Sequence, residues 1–304
     1  MLPFAPFSLE APDTWATAHG LLAEPGARLV AGGTDLLPSM KHRIFRPGVL
    51  VSTRRLPGLR SVVEAPDGGV LLGAGLTLRE VSRLPVVRSR YPALAAACAT
   101  VATPTIQAMA TLGGNIMLDT RCVYYNQPEG WRAGIGGCLK CDGSVCHVAP
   151  KGRGCYAAHS ADTVPALWLY GAHLAFTSAA GPRTLPLDEM YQDDGIAWHL
   201  AAAGEVLTHV SLPPPAALVI HRKARTRAAI DYGFLLVAAA RADTGYRAVV
   251  SAVGPRPIEV AGDTPEALAD AAFAAVQPLG THLQPAPWRK KMVRVEVRRA
   301  AEAL

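Results

Sequence analysis

Five of the six cysteines lie between Cys122 and Cys155, and no other feature constrains the fold of this chain so tightly. Cys122, Cys138, Cys146 and Cys155 are separated by 15, 7 and 8 residues, and Cys141 forms a C-x-x-C with Cys138. Four converging thiolates suffice for a tetrahedral zinc or for an iron–sulfur cluster. The segment must therefore fold back on itself, and Gly130, Gly134, Gly136, Gly137, Gly143, Gly152 and Gly154 give it the freedom to do so and amides that can reach sulfur. The spacings match neither the paired C-x-x-C of a zinc ribbon nor the tight run of a bacterial ferredoxin. They leave zinc and iron–sulfur equally open, with His147 and His159 as substitute ligands. The opening "MLPFAPFSLEAPDTW" has neither the basic start nor the long apolar run of a secretory signal. That predicts a cytoplasmic protein, in which a cysteine cluster is a metal or redox site rather than a disulfide framework. Cys98, in "ALAAACATVA", reads as a small buried hydrophobe.

The other 265 or so residues have to build the scaffold, and with half of 304 residues apolar they bury a sizeable core in two or three domains. No apolar run approaches the roughly 20 residues of a membrane span, and "ALWLYGAHLAF" is broken by Gly171 and His173. No membrane association is expected. The net charge is +6, yet basic residues are scattered except in "WRKKMVRVEVRR", Trp288 to Arg299. That stretch reads as a terminal helix with Met292, Val293 and Val297 packed inward, so no nucleic-acid partner is expected.

Along the chain, strands and helices alternate. Asp13 is positioned to cap a helix through "TWATAHGLLA", closed by Pro25-Gly26. A strand at Leu29 to Ala31 leads through Gly32-Gly33-Thr34-Asp35 into a helix with Pro38 in its first turn. Then come a strand at "VLVS", a hairpin from Leu59 to Gly73 turning on Asp67-Gly68, and a helix entered at Thr77 with Glu80 three residues on. A second glycine pair, Gly113-Gly114-Asn115, sits at a break after an apolar segment, and "SADTVPALWLYGAHLAFTSAAGPRTLPL" reads as a helix followed by a hairpin. A boundary is predicted around Pro186 to Tyr191. Beyond it "EVLTHVSLP", "LVIHRKA", "FLLVAAARA" and "RAVVSAVGP" read as strands of a smaller sheet, and "TPEALADAAFAAV" and the tail as helices.

Paired glycines let backbone N–H groups approach an anion closely. A single Gly-Gly at a strand end is usually only a tight turn, but Thr34, Asp35 and Asn115 add polar groups beside these two. The chain has no G-x-G-x-x-G opening a helix and no G-x-x-x-x-G-K-[ST], so any nucleotide is held in neither the Rossmann nor the Walker manner.

"LVAGGTDL" (Leu29 to Leu36), "TLGGN" (Thr111 to Asn115), "ADTVPAL" (Ala161 to Leu167) and "KARTRAAIDYGF" (Lys223 to Phe234) follow one another in this order. Together they resemble the flavin-binding subunit of the xanthine dehydrogenase family of molybdenum hydroxylases over nearly the whole chain. The resemblance implies an α+β fold: a vanillyl-alcohol-oxidase (PCMH) type FAD-binding domain of two subdomains, followed by a smaller C-terminal α+β domain of the carbon monoxide dehydrogenase flavoprotein type. The expected division is residues 1–55 and 56–185 for the FAD subdomains, with 120–158 an inserted iron–sulfur loop, and 186–304 for the C-terminal domain. The insertion of about 40 residues, with "DTRC", "YNQ" and "CLK", is similar to that of the 4-hydroxybenzoyl-CoA reductase β subunit.

What this implies about the site is specific. FAD would contact Leu29, Val30, Ala31, Gly32, Gly33, Thr34, Asp35 and Leu36, with Thr111, Gly113, Gly114 and Asn115. The pyrophosphate would lie on the backbone of Ala31 to Asp35 and of Gly113 to Asn115. Asp162 would hold a ribose or ribityl hydroxyl, and Leu207 and Lys223 would lie near the isoalloxazine, although on their own Leu207 reads as a core residue and Lys223 as a surface charge. Cys122, Cys138, Cys146 and Cys155 would bind a 4Fe-4S cluster, leaving Cys141 as a surplus thiol. The chain would then transfer electrons, with no catalytic residues of its own, inside a heteromer whose partners hold the molybdenum cofactor and 2Fe-2S clusters, and would exchange electrons with an external carrier such as ferredoxin. The substrate implied is an aryl-CoA, with another molybdenum hydroxylase substrate, or a non-catalytic zinc-binding scaffold, as the alternatives.

Overall fold

A computed structural model describes residues 2–227 and 230–304. The fourth motif, Lys223 to Phe234, is thus described except at residues 228 and 229, which lie outside the described residues. The architecture is the mixed α+β arrangement expected, in three sheets. The first is parallel, in the order β1–β3–β2: β1 (Ser8–Glu10), β2 (Arg28–Val30) and β3 (Val49–Ser52). The second is antiparallel, in the order β4–β5–β8–β6–β7: β4 (Val62–Glu64), β5 (Val70–Gly73), β6 (His173–Ser178), β7 (Gly181–Pro186) and β8 (Val206–Leu212). The third is antiparallel, in the order β12–β11–β10–β9: β9 (Val219–Ala224), β10 (Leu235–Arg241), β11 (Tyr246–Ser251) and β12 (Ile258–Gly262).

The third sheet is what joins the two cores. Along β10 successive side chains point to opposite faces, so Ala238 and Ala240 enter the large core with Leu72, Leu94, Leu167 and Leu174. Leu235, Val237 and Ala239 enter a second core against the helices Pro265–Ala275 and Ala286–Glu302. A strand buried on both faces reads as a continuous apolar run, and the alanines keep the helix Val164–Leu169 close to it. Val293 and Val297 of the last helix are fully buried and Met292 packs beside them. The same helix also buries Arg289, whose guanidinium donates to the Phe234 and Leu279 carbonyls at 3.1 Å each and to that of Ala252. Among the described residues no helix is long and apolar enough to cross a membrane.

Three local expectations change. The first helix, Trp15–Leu22, is capped by Thr14, whose hydroxyl accepts the Thr17 N–H at 3.2 Å, and not by Asp13. "EVLTHVSLP" belongs to the second sheet: Val210 of β8 pairs with Leu72 of β5 and with Leu174 of β6, so the change of sheet comes after Leu212 and not near residue 186. Alternation along a strand reveals its buried face but not its neighbour, and here the later strand fills the gap between β5 and β6. The second glycine pair is not an open turn but lies inside a short helix, Leu112–Ile116. There the Thr111 hydroxyl accepts the Gly114 N–H at 3.0 Å, and this cap outweighs the poor helix propensity of glycine. The capping box at Thr77 and Glu80 and the β4–β5 hairpin form as expected.

The cysteine-bearing loop leaves and re-enters the scaffold at one place, where Arg121 and Ala158 exchange two backbone hydrogen bonds of 2.7 Å. Arg132, fully buried, ties the loop to the end of the helix Leu36–Lys41 through the carbonyls of His42 (3.0 Å) and Arg43 (3.2 Å). On the other side the Val123 N–H donates to the Thr281 carbonyl at 3.0 Å, and the His159 N–H to that of Gly254 at 2.9 Å. The loop is therefore anchored to both halves of the molecule.

Candidate functional site

The first, second and third sheets enclose a cleft of about 820 Å³, within the roughly 300–1,000 Å³ of cofactor and small-molecule sites. Leu29, Val30, Ala31, Gly32, Gly33, Thr34, Asp35, Leu36, Thr111, Gly113, Gly114, Asn115, Asp162, Leu207 and Lys223 all line it. Five stretches separated in sequence thus meet round one cavity. The reason is topological: the first turn follows β2, the second lies beside β5, and Leu207 and Lys223 reach in from β8 and β9.

The two glycine pairs contribute differently. Gly33 has a φ of +69°, and among the described residues none accepts a hydrogen bond from the backbone N–H of Gly32, Gly33, Thr34 or Asp35. Successive free amides at a left-handed turn form a concavity suited to an anion. In the second pair the amides are already used, since the Gly113 N–H donates to the Ala74 carbonyl at 2.8 Å and that of Gly114 to Thr111. Gly113 matters for closeness: a Cβ there would lie 2.8 Å from that of Ala74. The backbone donors that were expected at Gly113 and Gly114 are therefore not free. Asn115 is held by its side-chain oxygen, which accepts from the Thr163 N–H at 3.1 Å and hydroxyl at 2.7 Å.

Three ion pairs stiffen the cleft wall: Asp35 with Arg121, Asp119 with Lys140 at 2.5 Å, and Asp162 with Lys223 at 2.6 Å. Lys223 is far from the surface charge its sequence context suggests, for only 3 % of its side chain is exposed. Burial pushes the Asp162 carboxyl above its ordinary range, while the adjacent Lys223 ammonium opposes that shift. The reading of the sequence missed Arg28, Tyr125, Lys140, Trp198 and Tyr232, which also line the cleft. Arg121 lines it too and stands beside Cys122, with its guanidinium 5.0 Å from the Tyr232 ring centroid. The tetrapeptide "DTRC" was the signal for Asp119 and Arg121.

Behind this wall lies a second, small pocket lined by Cys122, Cys138, Cys146 and Cys155, with Tyr124, Tyr125, Lys140 and His147. Three of the thiols are buried and Cys122 is partly so. Burial pushes the Cys155 thiol up to about 11 and raises that of Cys122. Among the described residues no group of three or more His, Cys, Asp or Glu is arranged to hold a single metal ion. Cys141 is outside the pocket lining and its thiol donates to Asp142 Oδ2 at 3.2 Å. His147 reaches the pocket but spends Nε2 on the Gly137 carbonyl at 2.6 Å. His159 does not line it: the ring is fully buried 4.4 Å from that of Tyr191, with Nδ1 3.2 Å from the Ser251 hydroxyl.

Residues 5–215 match the family described as the FAD binding domain in molybdopterin dehydrogenase. The chain is 32% identical over 271 residues to the aldehyde oxidoreductase FAD-binding subunit PaoB of Escherichia coli (strain K12), covering 84% of this chain and 85% of that protein. It is 37% identical over 112 residues to the carbon monoxide dehydrogenase medium chain of Hydrogenophaga pseudoflava, 36% of this chain and 39% of that one. Among solved structures, quinoline 2-oxidoreductase from Pseudomonas putida 86 superposes with a TM-score of 0.79 at 21% identity, covering 99% of this chain and 98% of that one. Carbon monoxide dehydrogenase from Hydrogenophaga pseudoflava does so with 0.78 at 23%, covering 100% and 99%. These two likenesses carry the fold.

Proposed function

This chain belongs to the family of FAD-binding domains in molybdopterin dehydrogenases, and from that premise we propose that it is the flavin and 4Fe-4S electron-transfer subunit of a heteromeric molybdenum-containing oxidoreductase. The observation that carries the proposal is the adjacency of two cavities: the cleft round the glycine turn and the pocket of four cysteines, with Tyr125 and Lys140 in the wall of both.

Both cavities suit their groups. The unpartnered amides of Gly32, Gly33, Thr34 and Asp35 fit a pyrophosphate, and Asp162, fixed by Lys223, fits a ribose or ribityl hydroxyl. Leu207 and Lys223, which the resemblance would put near the isoalloxazine, line the same cleft as Thr111 and Gly113 to Asn115. The family description speaks of FAD alone, so the cluster rests on the cysteines. Four thiols round one pocket suit a cluster with one ligand per iron. When bound, flavin converts between two-electron and one-electron exchange and a cluster exchanges single electrons. The residues of this chain would position those groups.

Substrate chemistry belongs to a partner holding the molybdenum cofactor, with a 2Fe-2S subunit and an external one-electron carrier such as ferredoxin completing the path. The cysteine insertion favours an aryl-CoA reductase like 4-hydroxybenzoyl-CoA reductase. The overlap with an aldehyde oxidoreductase subunit over 84% of the chain favours aldehyde oxidation as a second reading. Co-expression with the neighbouring subunits, followed by assays with an aryl-CoA and with aldehydes, separates them. Turnover of either substrate by this chain alone would overturn the division of labour.

A further inference from the structure

The wall between the two cavities is built round one ammonium group. Lys140 Nζ, on a side chain only 7% exposed, donates to Asp119 Oδ1 at 2.5 Å, Thr120 Oγ1 at 2.5 Å and the Gly195 carbonyl at 2.8 Å. All three of its protons are engaged, and it lies 4.6 Å from the centroid of the Tyr125 ring. The other carboxylate oxygen of Asp119 accepts the Tyr125 hydroxyl at 2.8 Å. These bonds fix the ion pair in place and in direction. Lys140 lines both cavities, whereas Asp119 lines only the cleft. The cysteine pocket therefore meets only the ammonium of the pair, whereas the cleft meets the carboxylate as well.

We propose that the Lys140–Asp119 pair is a fixed electrostatic bias between the cavities, favouring an electron on the group held by the cysteines over one on the group in the cleft. The inference rests on the reading above, in which the cleft holds flavin and the cysteines hold a cluster. A positive charge stabilises an added electron nearby and a negative charge opposes it, and both effects are larger in a water-poor interior than in solvent. The exchange it biases takes one electron from one group and adds it to the other, with no further reactant. Arg28 also faces Asp119 from the cleft side and is common to every variant below.

The test is a potentiometric titration of the full chain in complex with its partner subunits, following flavin absorbance and the electron paramagnetic resonance of the cluster. Flavin and iron per chain are measured in each sample. Lys140→Gln is expected to lower the cluster potential enough to shift the one-electron equilibrium about tenfold away from the cluster, ~59 mV for such a couple. Asp119→Asn is expected to raise the flavin potential, and Lys140→Arg to keep the cluster near its wild-type value. Purely structural roles for the pair do not predict shifts at opposite groups in opposite directions. Wild-type protein without iron would overturn the cluster reading itself. Protein with both groups whose potentials stay put in Lys140→Gln and Asp119→Asn would overturn this inference alone. Should Lys140→Gln fail to hold iron, the flavin potential of Asp119→Asn decides, and no change there is the negative result.

Discussion

Replacing Gly33 separates the anion-binding role of the first turn from its structural one. Its φ of +69° costs an L-residue roughly 1–2 kcal/mol. An alanine Cβ would sit 2.9 Å from Leu37 Cδ1 and 3.1 Å from Leu37 Cγ, atoms on a flexible side chain that can move away, so backbone strain dominates. The turn relieves that strain by rotating toward negative φ, which turns the free amides of Gly32 to Asp35 out of the cleft. Transferred to binding, 1–2 kcal/mol is roughly a 5- to 30-fold rise in Kd. Gly33→Val adds β-branching and should lose most of its flavin. Fluorescence titration of the flavin-free protein with FAD gives the affinity, and thermal unfolding of the same preparations shows that they are folded. Gly20→Ala is the control: it lies in the first helix with nothing within 4 Å of the new Cβ. It should leave affinity unchanged and stability equal or higher. Wild-type affinity in folded Gly33→Ala and Gly33→Val would mean that the phosphates are not held at this turn.

Serine at Cys122, Cys138, Cys146 or Cys155 should abolish or severely reduce bound iron while flavin persists, because the glycine turn lies outside the loop. Cys141→Ser should keep its iron, and iron analysis of the five variants reverses the ligand assignment if the pattern is the opposite. FAD should be released into the supernatant by acid precipitation; yellow colour staying with the pellet would indicate a covalent link. His159 and His221 are both held at about 3 by burial, against about 6.5 when unfolded. The unfolded chain therefore takes up protons that the folded chain refuses, and stability is complete above about pH 6.5 and declines as pH falls toward 3. At pH 5.5 each of these two histidines should cost about 1.4 kcal/mol, and His221→Leu should reduce the difference between urea midpoints at pH 7.5 and 5.5, to which His42, His199, His209 and His282, also shifted down by burial, contribute as well. An unchanged difference would contradict that account.

Much of this architecture was legible because local rules and burial agreed. Thr77 with Glu80, Asp67-Gly68 and the apolar run at Leu235 to Arg241 each specify an element through chemistry contained within it. Other features depend on partners distant in sequence. Nothing in "EVLTHVSLP" announces that β5 and β6 will be its neighbours. The glycines of "TLGGN" suggest a turn, but Thr111 caps a helix over them. Residues of the four motifs converge on the cleft, and the four spaced cysteines meet at one pocket. The charged groups that join the cavities were hidden, because Lys140 and Arg132 look like solvated loop charges until the fold buries them against Asp119 and against the carbonyls of His42 and Arg43.

One measurement bears on the central claim most directly: the absorption spectrum of the chain purified without oxygen, with flavin, iron and zinc quantified per chain. The account predicts flavin bands over a broad iron–sulfur shoulder, one FAD and about four irons per chain, and no stoichiometric zinc. A colourless protein, or flavin accompanied by one zinc and no iron, would contradict it.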